Sequence, residues 1–313
     1  MHSSSYKRNI LILNVYSILI KRVAFPIIIL YYLLNNLNFT QIGIIGSASA
    51  ITMLIFEISG GVFADVHGRK KSLFLSSSLA TITMALLYLG NSFGIFLLAG
   101  IFYGVASSFL SGTRTSLLYD TLVQLKEEHK FKKYNGRMIF IAYFFNALFL
   151  LGIPVLYKYY PKIPFLIGVL FYFVAAILSL FVIEPPRVDK DETKNYKRRL
   201  FDAIGEIHLT SKIKSLIFIL AITGPFAWMA SDYIQPLLKI RGLDIIYFGI
   251  IYAVMRMVAG FSSGITHKLE KVVNTKNLLI IGAILTILGF AGFRFGNVLW
   301  ITIGAIIILK FSE

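Results

Sequence analysis

The sequence predicts an all-α polytopic membrane protein, on three observations. Of its 313 residues 57% are hydrophobic and 15% charged, and the mean hydropathy is +0.76. A soluble domain of this size has no interior large enough to bury that much apolar surface. The apolar residues also come in unbroken runs of about 20, the length that crosses a bilayer as a helix. Finally, the runs do not alternate with polar residues as barrel strands would, and a helix satisfies its own backbone in lipid.

Ten spans follow in order. They are Asn9 to Leu34, Gln41 to Ala64, Ser72 to Gly90, Phe93 to Leu122, Arg137 to Tyr157, Ile163 to Ile183, Ile213 to Leu238, Ile245 to Thr266, Leu278 to Phe293 and Val298 to Leu309. Lys7 and Arg8 precede the first run, but no small-residue cleavage site follows it, so this span is read as retained rather than as a signal peptide. The last run is 12 residues, about 18 Å of helix, and too short to cross.

Most Lys and Arg residues fall in the N-terminus, in the loops after spans 2, 4 and 8, and in the central loop. The opposite side carries Lys158, Lys162, Lys239, Arg241 and Arg294. This asymmetry predicts a cytoplasmic N-terminus in a multi-pass plasma-membrane protein. The net charge of +16 is then contact with anionic headgroups, and its dispersal over short loops argues against a nucleic-acid partner. Three segments result: a six-helix bundle over 1–183, a polar central loop over 184–212, and a four-helix bundle over 213–313. Leu200 to Ile213 is either a short interfacial helix or part of a disordered linker.

Chemistry is sparse. Cysteine is absent and His2, His67, His129, His208 and His267 are isolated, so no thiolate or clustered metal site is expected, no cofactor, and no enzyme. The stretch between spans 2 and 3 is more informative. Gly60 and Gly61 allow close backbone approach, Asp65 is an acceptor able to cap a facing helix, and Gly68 permits a tight reversal. Arg69 offers a planar fork to a carboxylate, with Asp120 at the same end of span 4 as the available partner.

Gly61, Asp65, Gly68, Arg69 and Lys70 match G-x-x-x-D-x-x-G-R-[KR], and with Thr40-Gln41, Phe56-Glu57-Ile58, Ser111-Gly112 and Tyr119-Asp120 the chain resembles the major facilitator superfamily. The resemblance implies two helical bundles that rock about a central site. It makes the loop a latch that steadies the outward-facing state. Members usually have twelve helices, and their latches contact helix 11. Helices 11 and 12 have no counterpart here, so the expectation is a fragment, a truncated gene, or a missing C-terminal segment supplied separately. The antiporter signature of helix 5 is also missing, since Leu151-Gly152-Ile153-Pro154 is too sparse to match it.

Charges inside the spans bear on substrate. Lys21 and Arg22 lie about 16 Å from the start of span 1, near mid-membrane. Each buried cation costs about 2.5–3.5 kcal/mol on the insertion scale, so it needs water, a partner or a ligand. On a continuous helix Asn14, Ser17, Lys21, Phe25 and Tyr32 share one face, with Arg22 about 100° away. In span 8 the stripe is Gly249, Tyr252, Arg256, Gly260 and Ser263. From these faces Asn14, Ser17, Lys21, Tyr252 and Arg256, with Arg22 and with Asn146 of span 5, form the candidate substrate site; ion pairing inside the bundle is the competing account of the cations. Glu57, Arg114, Trp228, Asp232 and Gln235 lie nearer the ends of their spans and are candidate gate residues.

The expectation is a secondary active or facilitative transporter of a small solute, an organic anion on the evidence of Lys21 and Arg256, with the lipid bilayer as its other partner. Proton-coupled drug efflux and a non-transporting truncated membrane protein are the alternatives.

Overall fold

A computed structural model describes residues 2–186, 233–269, 275–295 and 299–312. The described residues are all-helical, without strands. Five of their helices are long and apolar enough to cross a membrane: 39–67, 69–89, 93–124, 128–159 and 163–180. Two compact units emerge, one of Met1–Arg22, Leu33–Ala142 and Lys162–His208, the other of Val23–Tyr32, Tyr143–Pro161 and Leu209–Glu313.

Span 1 departs from the continuous helix expected over Asn9 to Leu34. Helix α1 (His2–Leu19) stops, residues 20–24 are non-helical, and a 3₁₀ turn, Phe25–Ile27, leads into α2 (Ile28–Leu34). Pro26 is the cause. It has no N–H to give, its ring clashes with the carbonyl four residues back, and it drives the preceding residue out of helical geometry. Within the new half-helix Pro26 occupies the first turn, where a missing donor costs nothing. The single face drawn through Asn14, Ser17, Lys21, Phe25 and Tyr32 is therefore corrected: Lys21 and Arg22 stand in the break, and the register of α1 does not carry across it.

In the first unit, α3 (Phe39–His67) opens on a capping box. The Gln41 N–H donates to Asn38 Oδ1 at 2.9 Å, and the Asn38 N–H to Gln41 Oε1 at 3.0 Å. It closes at Gly68, whose φ of +106° only glycine adopts readily, and α4 (Arg69–Leu89) begins at once. Span 4 is bent: α5 (Phe93–Leu110) and α6 (Thr113–Gln124) meet at Ser111-Gly112, with φ +69° at Gly112. Next come α7 (Phe131–Tyr159) and α8 (Ile163–Leu180).

The unit's core joins Leu13 and Tyr16 of α1 to Leu73, Leu117, Leu118, Leu122, Met138 and Ala175. Tyr16 is fully buried, so its hydroxyl needs partners; it bonds Ser77 Oγ at 2.7 Å and the Leu73 carbonyl at 3.2 Å. Asn9 joins the ends of the first six spans. Its amide donates to Ile183 O at 2.8 Å and accepts from Ile183 N at 2.9 Å.

The second unit holds α2, the later part of α7, a helix at 233–240 (α9), α10 (Phe248–Leu269), α11 (Thr275–Phe295) and α12 (Leu299–Ser312). Segments 23–32 and 143–161, from the first half of the chain, thus cluster with the second.

Small residues set how closely these helices approach. In α5, Gly100 and Gly104 lie one turn apart on the face toward α3, and a Cβ at Gly104 would fall 2.4 Å from the Ser49 carbonyl oxygen. Backbone cannot yield as a side chain can, so Gly104→Val is expected to destabilise the folded protein by about 1–3 kcal/mol. Thermal unfolding in detergent measures this, with Gly94→Ala, which meets nothing within 4 Å, as the neutral control.

Candidate functional site

The charged loop is built around the start of α4. A helix N-terminus presents N–H groups without intrahelical acceptors. Two of them, from Arg69 and Lys70, donate to Glu184 Oε1 and Oε2 at 2.8 and 2.7 Å. Glu184 is thus the carboxylate that caps α4, and Asp65, expected to cap a facing helix, is exposed. The Glu184 carboxylate also sits where a Cβ at Gly68 would stand, 3.3 Å away. Arg69 pairs with Asp120 through Nη1 and Oδ2, both side chains half-buried. The close-approach glycine is Gly60, whose added Cβ would lie 2.8 Å from the Ser108 carbonyl; one at Gly61 would meet nothing within 4 Å. A cleft of about 290 Å³ opens beside the pair, lined by Arg69, Thr115, Ser116, Tyr119, Asp120 and Phe131.

Deeper in the first unit, the Arg22 guanidinium lies 4.1 Å from the Tyr103 ring centroid. Contact with an aromatic face is worth about 0.5–2 kcal/mol and offsets part of the cost of a cation at this depth. The break itself is served by Tyr172, whose hydroxyl donates to the Ile20 carbonyl at 3.1 Å. Lys21 is half-buried within it and Asn14 half-buried on α1. Ser17 is fully buried and accepts from Arg114 Nη1 at 3.0 Å while donating to Leu13 O at 2.6 Å. A predicted substrate residue and a predicted gate residue therefore bond each other. Glu57 is half-buried, and its Oε2 has no hydrogen-bond partner among the described residues.

In the second unit, Arg256 stands over two rings, 5.1 Å from the Phe25 centroid and 5.8 Å from that of Tyr143. Phe25 meets the buried Tyr252 edge-to-face at 5.5 Å. A Cβ at Gly249 would fall 2.5 Å from the Leu150 carbonyl, so α7 and α10 touch there as well as at Tyr143 and Arg256. Both contacts are seven residues apart on each helix, which is an antiparallel register. Asn146 lies between Tyr143 and Leu150 on the same face of α7. It is 1% exposed, and its Nδ2 has no partner among the described residues. The register therefore brings Arg256, Asn146 and Tyr252 together.

Gln235 on α9 is fully buried, donating to Phe25 O at 2.7 Å and accepting from Ile29 N at 2.9 Å. Farther along, Lys158 and Asp244 pair at 2.8 Å. Trp228 and Asp232 lie outside the described residues. Glu184, Asn9, Tyr103 and Tyr143 carry contacts that spacing alone did not single out. The one available signal was Glu184, an acid directly before Pro185-Pro186 at the end of a span.

A family model described as the Major Facilitator Superfamily matches residues 10–312. YxaM, an uncharacterized MFS-type transporter of Bacillus subtilis (strain 168), is 28% identical over 283 residues, 86% of this chain and 69% of that protein. The MFS-type transporter gkaD of Penicillium citrinum is 25% identical over 190 residues, 60% of this chain and 32% of that one. Among solved structures, a mutant of the nucleoside transporter NupG matches with a TM-score of 0.82 at 13% identity, covering 98% of this chain and 79% of its own. A bacterial homologue of the human lysosomal transporter Spinster, inward-facing and unoccupied, matches at 0.72 and 16% identity, covering 98% of this chain and 73% of its own. At these identities the structural likeness concerns the fold.

Two expectations follow from the geometry. Glu184→Ala removes the cap of α4 and is expected to cost about 1 kcal/mol, read as a lowered thermal midpoint. The Asp244 carboxyl is held below the usual aspartate range, first by the hydrogen bond from Lys158 and then by the Ile246 N–H. A depressed value means the pair's contribution is present above the ordinary value of about 3.9 and lost as pH falls through the folded one. Carboxyl ¹³C NMR of labelled aspartate should show Asp244 titrating below that range.

Proposed function

The chain belongs to the major facilitator superfamily, a transporter and not an enzyme, and we propose that it moves a small organic anion across the membrane by alternating access. The observation that carries this is the convergence of Arg256 and Asn146. Arg256 supplies a charged, planar fork of donors, Asn146 Nδ2 is a buried donor without an acceptor among the described residues, and Tyr252 lies at the same level. A buried donor left unmatched costs about 1–3 kcal/mol, which a carboxylate or phosphate oxygen would recover. Phe25 and Tyr143 lie close to the guanidinium, and a planar fork of donors is the group best matched to a carboxylate or phosphate. Lys21 and Arg22, in the break of span 1, are the second group of cations in this reading. A discontinuous helix near the midplane is where carriers of this type place their sites.

Arg69–Asp120, with Glu184 on the start of α4, serves in this reading as the latch at the charged-loop end, on the cytoplasmic side of the plasma membrane with the N-terminus. The nucleoside and the D-xylose that name two structural neighbours are oxygen-rich solutes, and the donor pair here would suit such a solute once it carries negative charge. Proton coupling is the second reading, and Glu57 favours it: a buried carboxylate oxygen with no donor is where a coupling proton would ride.

Uptake of candidate organic anions into proteoliposomes tests the assignment. Arg256→Ala is expected to lower saturable uptake about 30-fold or more, the scale of losing one charge-assisted contact. Arg256→Lys should restore part of it, keeping the charge without the fork, and Lys21→Ala should weaken it as well. Anion uptake unchanged in Arg256→Ala would sink the anionic reading, and no flux of any solute would favour a non-transporting protein.

A further inference from the structure

We propose that Gln235 is the clasp of the gate at the end of the bundle away from the charged loop, and that it works by standing in for a main-chain hydrogen bond of span 1. The inference rests on the alternating-access reading above. In an unbroken α-helix the Ile29 N–H would donate to the Phe25 carbonyl, four residues back. Here the α-helix begins only at Ile28, and the carboxamide of Gln235 supplies both halves of that bond. Its Nε2 donates to Phe25 O at 2.7 Å, and its Oε1 accepts from Ile29 N at 2.9 Å.

A primary amide is one of the few side chains that carries donor and acceptor at the spacing of a peptide group. Inserting one into the helix ladder is a recognised cause of a helix break. The side chain is fully buried, so neither group of the turn has water as a substitute partner. Withdrawal of α9 would strand Phe25 O and Ile29 N unless they bonded each other. The turn would then close up, and the clasped and released states would each satisfy the backbone. Such a segment is bistable: it has two discrete arrangements with nothing between them but unpaired backbone groups. Because Phe25 also lies against Arg256, closing the turn shifts the ring that holds the proposed anion-binding guanidinium.

The chain has no cysteine, so a single reporter thiol can be placed at will. Ala253→Cys puts one at a site only 8% exposed, on α10 beside Tyr252. Labelling with a membrane-impermeant maleimide from the face opposite the charged loop then reads the gate without needing any substrate. Gln235→Met fills the same space but bridges nothing, and is expected to raise the labelling rate about tenfold, the scale of one or two buried hydrogen bonds. Gln235→Leu, of similar size and equally unable to bridge the two backbone groups, should raise labelling in the same direction. Labelling of Gln235→Met at the parent rate overturns the clasp, as does a rise equal from both faces. Should Gln235→Met not fold, the parent rate in Gln235→Leu overturns it. The two readings fail separately: parent labelling rates with anion flux intact remove only the clasp, whereas raised labelling without flux of any anion removes only the anionic reading.

Discussion

The break in span 1 is the constraint on which the rest of the structure depends. Pro26 forbids a continuous helix at mid-membrane depth, and a membrane interior supplies no water to the backbone groups that the break exposes. Those groups must be met by side chains, and side chains meet them. Tyr172 takes the Ile20 carbonyl, and Gln235 takes Phe25 O and Ile29 N. The same break sets Lys21 and Arg22 in non-helical backbone, where the Tyr103 face helps to hold the Arg22 charge.

A second irregularity organises the charged-loop end by the same logic. The reversal at Gly68 leaves the first N–H groups of α4 without acceptors, and Glu184 reaches across from the end of span 6 to take two of them. Asn9 ties the adjacent Ile183 to the start of span 1 through a paired amide contact. The Arg69–Asp120 pair therefore rests on a backbone held on both sides by side chains, as the proposed latch would require. A partly exposed ion pair contributes little stability of its own.

Much of this was legible in the sequence because membrane insertion writes itself in composition and length. The helical class and the Arg69–Asp120 pairing follow from apolar runs and one motif. The internal breaks were harder to read. The 26 residues from Asn9 to Leu34 read as one span despite Lys21 and Arg22, and Pro26 inside it could have been a tolerated kink. Capping of α4 by Glu184 turns on a contact 115 residues distant in sequence, and no local pattern encodes that. The cage of Phe25 and Tyr143 about Arg256 was invisible for a related reason: aromatics make up 15% of the chain, so their presence near a cation carries no information until the helices are packed.

Sorting the buried polar groups by what they are used for separates architecture from the proposed site. Tyr16, Tyr172, Gln235, Asn9, Ser72 and Ser76 all bond backbone carbonyls or amides, so each is consumed in holding helices together or in serving an irregular turn. Burial of such groups needs no ligand to account for it. Asn146 is different. Its Nδ2 is as deeply placed as any of them, in a helix contact tight enough that Gly249 admits no Cβ, yet no backbone break lies beside it to be repaired. A donor kept unmatched in so close an interface is costly, and in the proposed reading an acceptor on the solute would recover that cost. By the same register such an acceptor would lie near Arg256, which stands over the Phe25 and Tyr143 rings.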